Sequence, residues 1–233
     1  MAFLADIGII GAMKPEVEKL IASLQGATSE RVGGIDFHIG KMGDKNVVVA
    51  LCGIGKVFAA MCAEAMIIAY SPKLIINTGV GGALKRGVKP LDVMIAESLV
   101  QHDMDTSALG DPKGLVSGIN VVYFDTDKRA VDLAYGIARD AGLTPFRGII
   151  ASGDRFVAES ADKERIVSDF DASVCEMEGA AIAHVCYVNS TPCCVIRAIS
   201  DSADEGSSMD YMKFLPIAAD NSANITKKLV ELY

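Results

Sequence analysis

The sequence predicts a single α/β domain over residues 1–233, a three-layer α/β/α sandwich on a central mixed, largely parallel twisted sheet. Three observations carry this. Short continuous apolar runs, the pattern of buried strands, alternate with stretches of helical periodicity. Hydrophobic residues make up 51% of the 233 residues and 22 are glycine, enough for one sizeable core with many tight turns. No repeat, low-complexity tract or linker breaks the alternation.

The elements follow in order. Ile7-Gly8-Ile9-Ile10 is a short buried strand ending at Gly11. Pro15 suits the first turn of a helix because its missing N–H has no partner there to lose. Val17, Leu20, Ile21 and Leu24 then recur at helical spacing. Residues 35–41 and 46–51 form a hairpin across Gly43-Asp44. An Ala- and Met-rich helix covers 57–70, and Leu74-Ile75-Ile76-Asn77 is a strand opening into Gly79-Val80-Gly81-Gly82. A strand over 92–99 leads into a polar, glycine-punctuated loop over 101–118, and loops of that length are commonly functional. A helix over 127–141, a strand over 146–151 and a short helix over 163–170 come next. A helix over 178–188 and a buried strand over 195–199 follow. The chain closes with an amphipathic helix whose apolar side carries Phe214, Leu215, Ile217, Ala218, Ile225, Leu229 and Val230.

The net charge of −8 argues against nucleic acid and anionic membranes as partners. No apolar run reaches the roughly 18 residues of a membrane span, and the N-terminus has no secretory pattern. The six cysteines form no CxxC pair and lie mostly in apolar runs, as buried reduced thiols of a cytoplasmic protein do.

Several motifs mislead. Gly8-Ile9-Ile10-Gly11 lacks the G-x-G-x-x-G spacing of a dinucleotide site. Gly53-Ile54-Gly55-Lys56 has Ala50 where a P-loop needs its first glycine and Val57 where it needs Ser or Thr. His102-Asp103-Met104-Asp105 lacks a second ligand cluster, which favours a loop-ordering role over a metal. No G-x-S-x-G is present. Neither a metal nor a cofactor is expected.

Four blocks remain. They are Gly8-Ile9-Ile10-Gly11-Ala12-Met13-Lys14-Pro15-Glu16-Val17, Asn77-Thr78-Gly79-Val80-Gly81-Gly82, Ser152-Gly153-Asp154-Arg155-Phe156-Val157, and the pair Glu176-Met177-Glu178 with Arg197-Ala198-Ile199-Ser200-Asp201-Ser202-Ala203-Asp204. Each block places acidic or glycine-rich sequence at the end of an apolar run, and in open α/β sheets ligands bind at such strand ends. In order and spacing the blocks resemble the methylthioadenosine/S-adenosylhomocysteine nucleosidases of the purine nucleoside phosphorylase superfamily, over nearly the whole chain.

The resemblance implies a nucleoside phosphorylase-like fold and cleavage of an N-glycosidic bond to adenine. That chemistry asks for these residue types. The departing base needs a proton at N7, which a carboxylic acid with a raised pKa supplies, and Asp201 is placed for it with Ser200 to orient it or to touch the base. A water must attack C1′, and Glu16 is the expected general base. Glu178 is expected to accept the ribose hydroxyls, with Met177 against the sugar. Two carboxylates then act on opposite sides of an oxocarbenium-like sugar. By resemblance, Phe156 stacks on adenine, the Val157 backbone reads its edge and Arg197 orders the acids. Met13, Ile54 and Tyr211 line the 5′ pocket, while Val80, Gly82 and Ala203 complete the substrate site. Thr106 and Leu109 are expected on a loop that reaches the neighbouring subunit of a homodimer.

The sequence departs from the resembled pattern at Val80, where Ser is common. It departs again at Leu109, Asp111 and Ser117, where aromatic residues and a proline are usual. A less aromatic lip leaves the 5′ preference open among methylthioadenosine, S-adenosylhomocysteine, 5′-deoxyadenosine and aminodeoxyfutalosine. Phosphate as nucleophile would need arginines or an anion nest. The segment 77–82 has no arginine, so water is expected in its place. The competing readings are a futalosine hydrolase, a purine nucleoside phosphorylase, and a purine-binding protein without chemistry. The joint presence of Glu16, Glu178 and Asp201 disfavours the last.

Overall fold

The computed structural model describes residues 3–233. Ten strands and six α-helices alternate through them, plus a short 3-10 turn at Ser107–Leu109. The strands are β1 (Ile7–Gly11), β2 (Gln25–Val32), β3 (Ile35–Met42), β4 (Lys45–Leu51), β5 (Leu74–Ala83), β6 (Val93–Gln101), β7 (Phe124–Asp125), β8 (Pro145–Ser152), β9 (Val174–Glu176) and β10 (Cys193–Asp201). The helices are α1 (Lys14–Ala22), α2 (Lys56–Tyr70), α3 (Lys128–Asp140), α4 (Ser160–Phe170), α5 (Gly179–Val188) and α6 (Ser207–Leu232).

The sheet is mixed, as expected. Its heart is parallel: β1 pairs with β4 and β5, and β5 with β10. β6, β8 and β9 are likewise mutually parallel. The longest ladders, β5 with β10 and β6 with β8, are parallel, while β2, β3 and β4 form an antiparallel meander. One end of the sheet is rolled shut. β10 pairs with both β5 and β6, and β9 joins β8 back to β5, so β5, β10, β6, β8 and β9 form a closed ring.

Helices cover both faces because strand side chains alternate. Ile10, Phe37, Val48 and Ile75 face α2 and α5. Ile7, Ile9, Val47, Val49 and Ile76 face α1, α3 and α6. Pro15 sits in the first turn of α1, and Asp127 caps α3 by accepting the Ala130 N–H at 2.8 Å.

The structure extends or corrects several elements. β2, β7 and β9 have no counterpart in the sequence reading, and β5 runs on through the glycines to Ala83. α4 begins three residues earlier than the apolar pattern indicates, at Ser160. Ile217, assigned to the apolar side of α6, is 51% exposed, while the next two residues, Ala218 and Ala219, are the ones buried against Val80 and Ala198. The six cysteines are free and buried, as the sequence implies.

Candidate active site

The ends of β1, β5, β9 and β10 converge on a cavity of about 260 Å³. It is lined by Met13, Glu16, Ile54, Val80, Gly82, Phe156, Val157, Met177, Glu178, Ser200, Asp201 and Tyr211, all selected from sequence. Ala12, Gly81, Arg155, Cys175 and Glu176 line it too and were not selected. Their signal was adjacency to selected residues, which alone does not separate a wall residue from a neighbour.

Glu16 lies in the first turn of α1 and is turned back into the protein. Its Oε2 accepts the N–H groups of Ala12 and Met13, both at 2.8 Å, and its Oε1 accepts the Val80 N–H at 3.2 Å. Burial raises its pKa, against the pull of Arg197 and of the three amides. A carboxylate shifted toward neutrality while still ringed by donors is held in one orientation and takes up a proton more readily than an exposed glutamate.

Asp201 ends β10. The Ser200 hydroxyl donates to its Oδ2 at 2.7 Å and the Ala203 N–H to its Oδ1 at 2.9 Å. Burial raises its pKa and outweighs these two donors, with Asp210 and Asp204 adding repulsion. One carboxylate therefore holds the turn after β10 and, through burial, favours its protonated form. Ala203 is fully buried and contributes its N–H to Asp201 without lining the cavity.

Two glycines of β5 admit both acids. A Cβ at Gly79 would stand 2.6 Å from Glu16 Oε1, and one at Gly82 would stand 2.8 Å from Asp201 Oδ1. Gly82 pairs with Asp201 on one side and Cys175 on the other.

The Glu176-Met177-Glu178 pair divides its work. Glu176 is buried and ion-paired with Arg197; it also accepts the Ser152 hydroxyl and the N–H groups of Glu178 and Gly179. Burial works against its charge, but Arg197 and these donors hold its pKa below the usual value. Arg197 is 1% exposed, reaches Asn77 as well, and lies behind the cavity wall. Sequence reasoning expected Arg197 to order the carboxylates nearby; the structure places it against Glu176, and Asn77 and Ser152, which that reasoning did not select, complete the network. Glu178 accepts the Gly55 N–H at 2.8 Å on Oε1. Burial and the neighbouring charge of Glu176 push its pKa up to about 8. Gly55, dismissed as a P-loop glycine, thus orients Glu178.

Phe156 stands edge-on to Tyr211 with ring centroids 5.6 Å apart, and the Tyr211 hydroxyl meets Met13 Sδ at 3.1 Å. Thr106 and Leu109 do not line this cavity; Leu109 is 84% exposed. Asp103 pairs with Lys56 and accepts the Asp154 N–H, a loop-ordering role. His184 bonds Gln101 and stacks on Phe124. Among the described residues, no group of three or more His, Cys, Asp or Glu is placed to hold a metal.

A mixed α/β sheet with buried acids at its strand ends around an aromatic-edged cavity is the architecture of a nucleoside-processing enzyme. The chain matches the phosphorylase superfamily over residues 6–231 and belongs to it, within the branch of the adenosyl nucleosidases. It is 39% identical over 227 residues to an aminodeoxyfutalosine nucleosidase of Helicobacter pylori, covering 97% of this chain and 98% of that one. It is equally 39% identical over 226 residues to a 5′-methylthioadenosine/S-adenosylhomocysteine nucleosidase of Haemophilus influenzae, with the same coverages. Among solved structures, the Neisseria meningitidis nucleosidase in complex with methylthio-immucillin-A superposes with a TM-score of 0.95. That structure is 36% identical over 99% of this chain and all of the other. A futalosine hydrolase of Helicobacter pylori superposes with a TM-score of 0.93 at 37% identity, over 99% of each chain.

Proposed function

We propose that the protein hydrolyses the N-glycosidic bond of 5′-methylthioadenosine and S-adenosylhomocysteine, releasing adenine and the thioribose. The observation that carries this is the placement of two buried, proton-hungry carboxylates, Asp201 and Glu16, on one cavity with Glu178 and Met177 beside them. Asp201, in its protonated form, gives its proton to N7 as the bond breaks. Glu16 takes a proton from the attacking water. Glu178 receives the ribose hydroxyls, while Phe156 and Val157 hold the base and Met13, Ile54 and Tyr211 the 5′ substituent.

Water rather than phosphate as nucleophile is supported by the cations. Among the described residues Arg155 is the one cation lining the cavity, and it is paired with Asp162 at 2.8 Å. Lys85 pairs with Asp171, away from the cavity. Adenine release from methylthioadenosine is therefore expected to proceed at full rate in phosphate-free buffer. Release that requires phosphate and yields the sugar phosphate would remove Glu16 from the role given it. Aminodeoxyfutalosine is the second reading, supported by relatives of that name at equal identity.

A homodimer is part of the reading. Val57, Phe58, Met61 and Ile68 on α2, with Tyr187 and Val188 on α5, leave a broad apolar face in solvent. Monomers rarely expose so much. In a dimer, the loop with Thr106 and Leu109 would complete the partner's 5′ pocket. Light scattering is expected to give twice the 24.5 kDa chain mass; an active monomer would contradict this. No helix among the described residues is long and apolar enough to cross a membrane, and a cytoplasmic location is proposed with the free thiols.

A further inference from the structure

We propose that Lys163 is a positioning residue for Asp201, and that the first turn of α4 braces the two walls of the cavity against each other. The proposal rests on the role of Asp201 as acid given above.

Directly after Asp201 the chain turns sharply. Ala203 adopts φ 50°, a left-handed conformation unfavourable for any residue with a Cβ, while fully buried. Such a conformation persists only where its surroundings over-determine it. Inside the turn, the Ala203 N–H donates to Asp201 itself. Outside it, Lys163 Nζ donates to the Ser202 carbonyl at 2.6 Å. The N–H and hydroxyl of Ser160 both donate to the Glu205 carboxylate, at 3.2 and 2.8 Å. Lys163 forms no ion pair among the described residues, and its charge-assisted hydrogen bond is directed at that one carbonyl.

The same helical turn holds the opposite wall. α4 begins just after Phe156 and Val157, and Arg155 pairs with Asp162 on α4. The loop assigned to the base and the turn carrying the acid are thus tied to consecutive residues, 160 to 163. Lys163 does not line the cavity, so it acts through the Ser202 backbone. Its effect falls on where the Asp201 carboxyl points, which matters when N7 takes its proton and little when substrate first binds.

The test compares wild type, K163M and K163R in adenine release from methylthioadenosine, with thermal unfolding of each. K163M is expected to lower kcat about tenfold while KM stays within about twofold and the unfolding temperature is unchanged. K163R, which keeps a donor, is expected to restore most of kcat. Wild-type kcat in K163M overturns the brace while leaving the reaction intact. Equal losses in K163M and K163R together with a lowered unfolding temperature overturn it in favour of a merely structural lysine. No turnover by wild-type protein overturns the reading of the reaction, and the brace with it.

Discussion

Replacing Asp201 by Asn is expected to lower kcat for adenine release by about 10²–10⁴ and to leave the fold intact, because general acid catalysis is worth that much. Asparagine keeps the shape, and its amide oxygen still accepts the Ala203 N–H that now binds Oδ1. What it cannot do is donate a carboxyl proton. Burial favours the protonated form of Asp201, raising its pKa despite the two donors bound to it. The loss should therefore appear in kcat, with KM little changed and the thermal midpoint within a degree or two of wild type. Near-normal turnover in purified D201N would take Asp201 out of the mechanism.

Arg197→Met is expected to produce the largest loss of stability of any single change at the site. Arg197 is buried against Glu176 and is the counter-charge that Glu176, Glu178 and Glu16 share. Removing one partner of a buried ion pair costs about 3–5 kcal/mol, because the other charge is left without a partner. For a domain of this size that corresponds to a fall of roughly 10 °C in melting temperature. The pH dependence follows from the sign of the Glu176 shift. In the wild type its folded pKa is depressed, so its contribution is present above the ordinary glutamate value and lost as pH falls. Without Arg197 burial dominates and the folded pKa rises instead, so the deficit of the variant is greatest near neutral pH and narrows in acid. Circular dichroism melts across pH check both points. A variant that melts with the wild type at neutral pH would show that the pair carries no such weight.

The residues legible in the sequence are those whose function is written locally. Glu16 follows a buried strand and a proline, Asp201 ends an apolar run, and Phe156-Val157 follows Ser152-Gly153-Asp154; the structure brings all of them to one cavity. What stayed hidden depends on contacts distant along the chain. Glu176 and Glu178 look equivalent in sequence and both line the cavity, and it is the position of Arg197 that makes Glu176 the anchor. Ser152 and Asn77 join that network from β8 and β5, with no local sign of it. β2 shows no apolar alternation because all its residues but the last are exposed. β5 passes for a strand followed by a loop, since glycines that let carboxylates approach are the same residues that signal a turn. Lys163 resembles any surface lysine on a helix.

The closed ring of strands has one more consequence, for how the protein behaves at high concentration. An open sheet offers two borders of unpaired amides and carbonyls, each a template on which another chain can add a strand. A ring has none, so closing one end of this sheet leaves β2 as its single long free border. Along that border Gln25, Thr28, Ser29, Glu30 and Arg31 are polar or charged, the composition that discourages stacking of one molecule on the next. Resistance to fibre-like self-association is thereby concentrated in eight residues far from the chemistry.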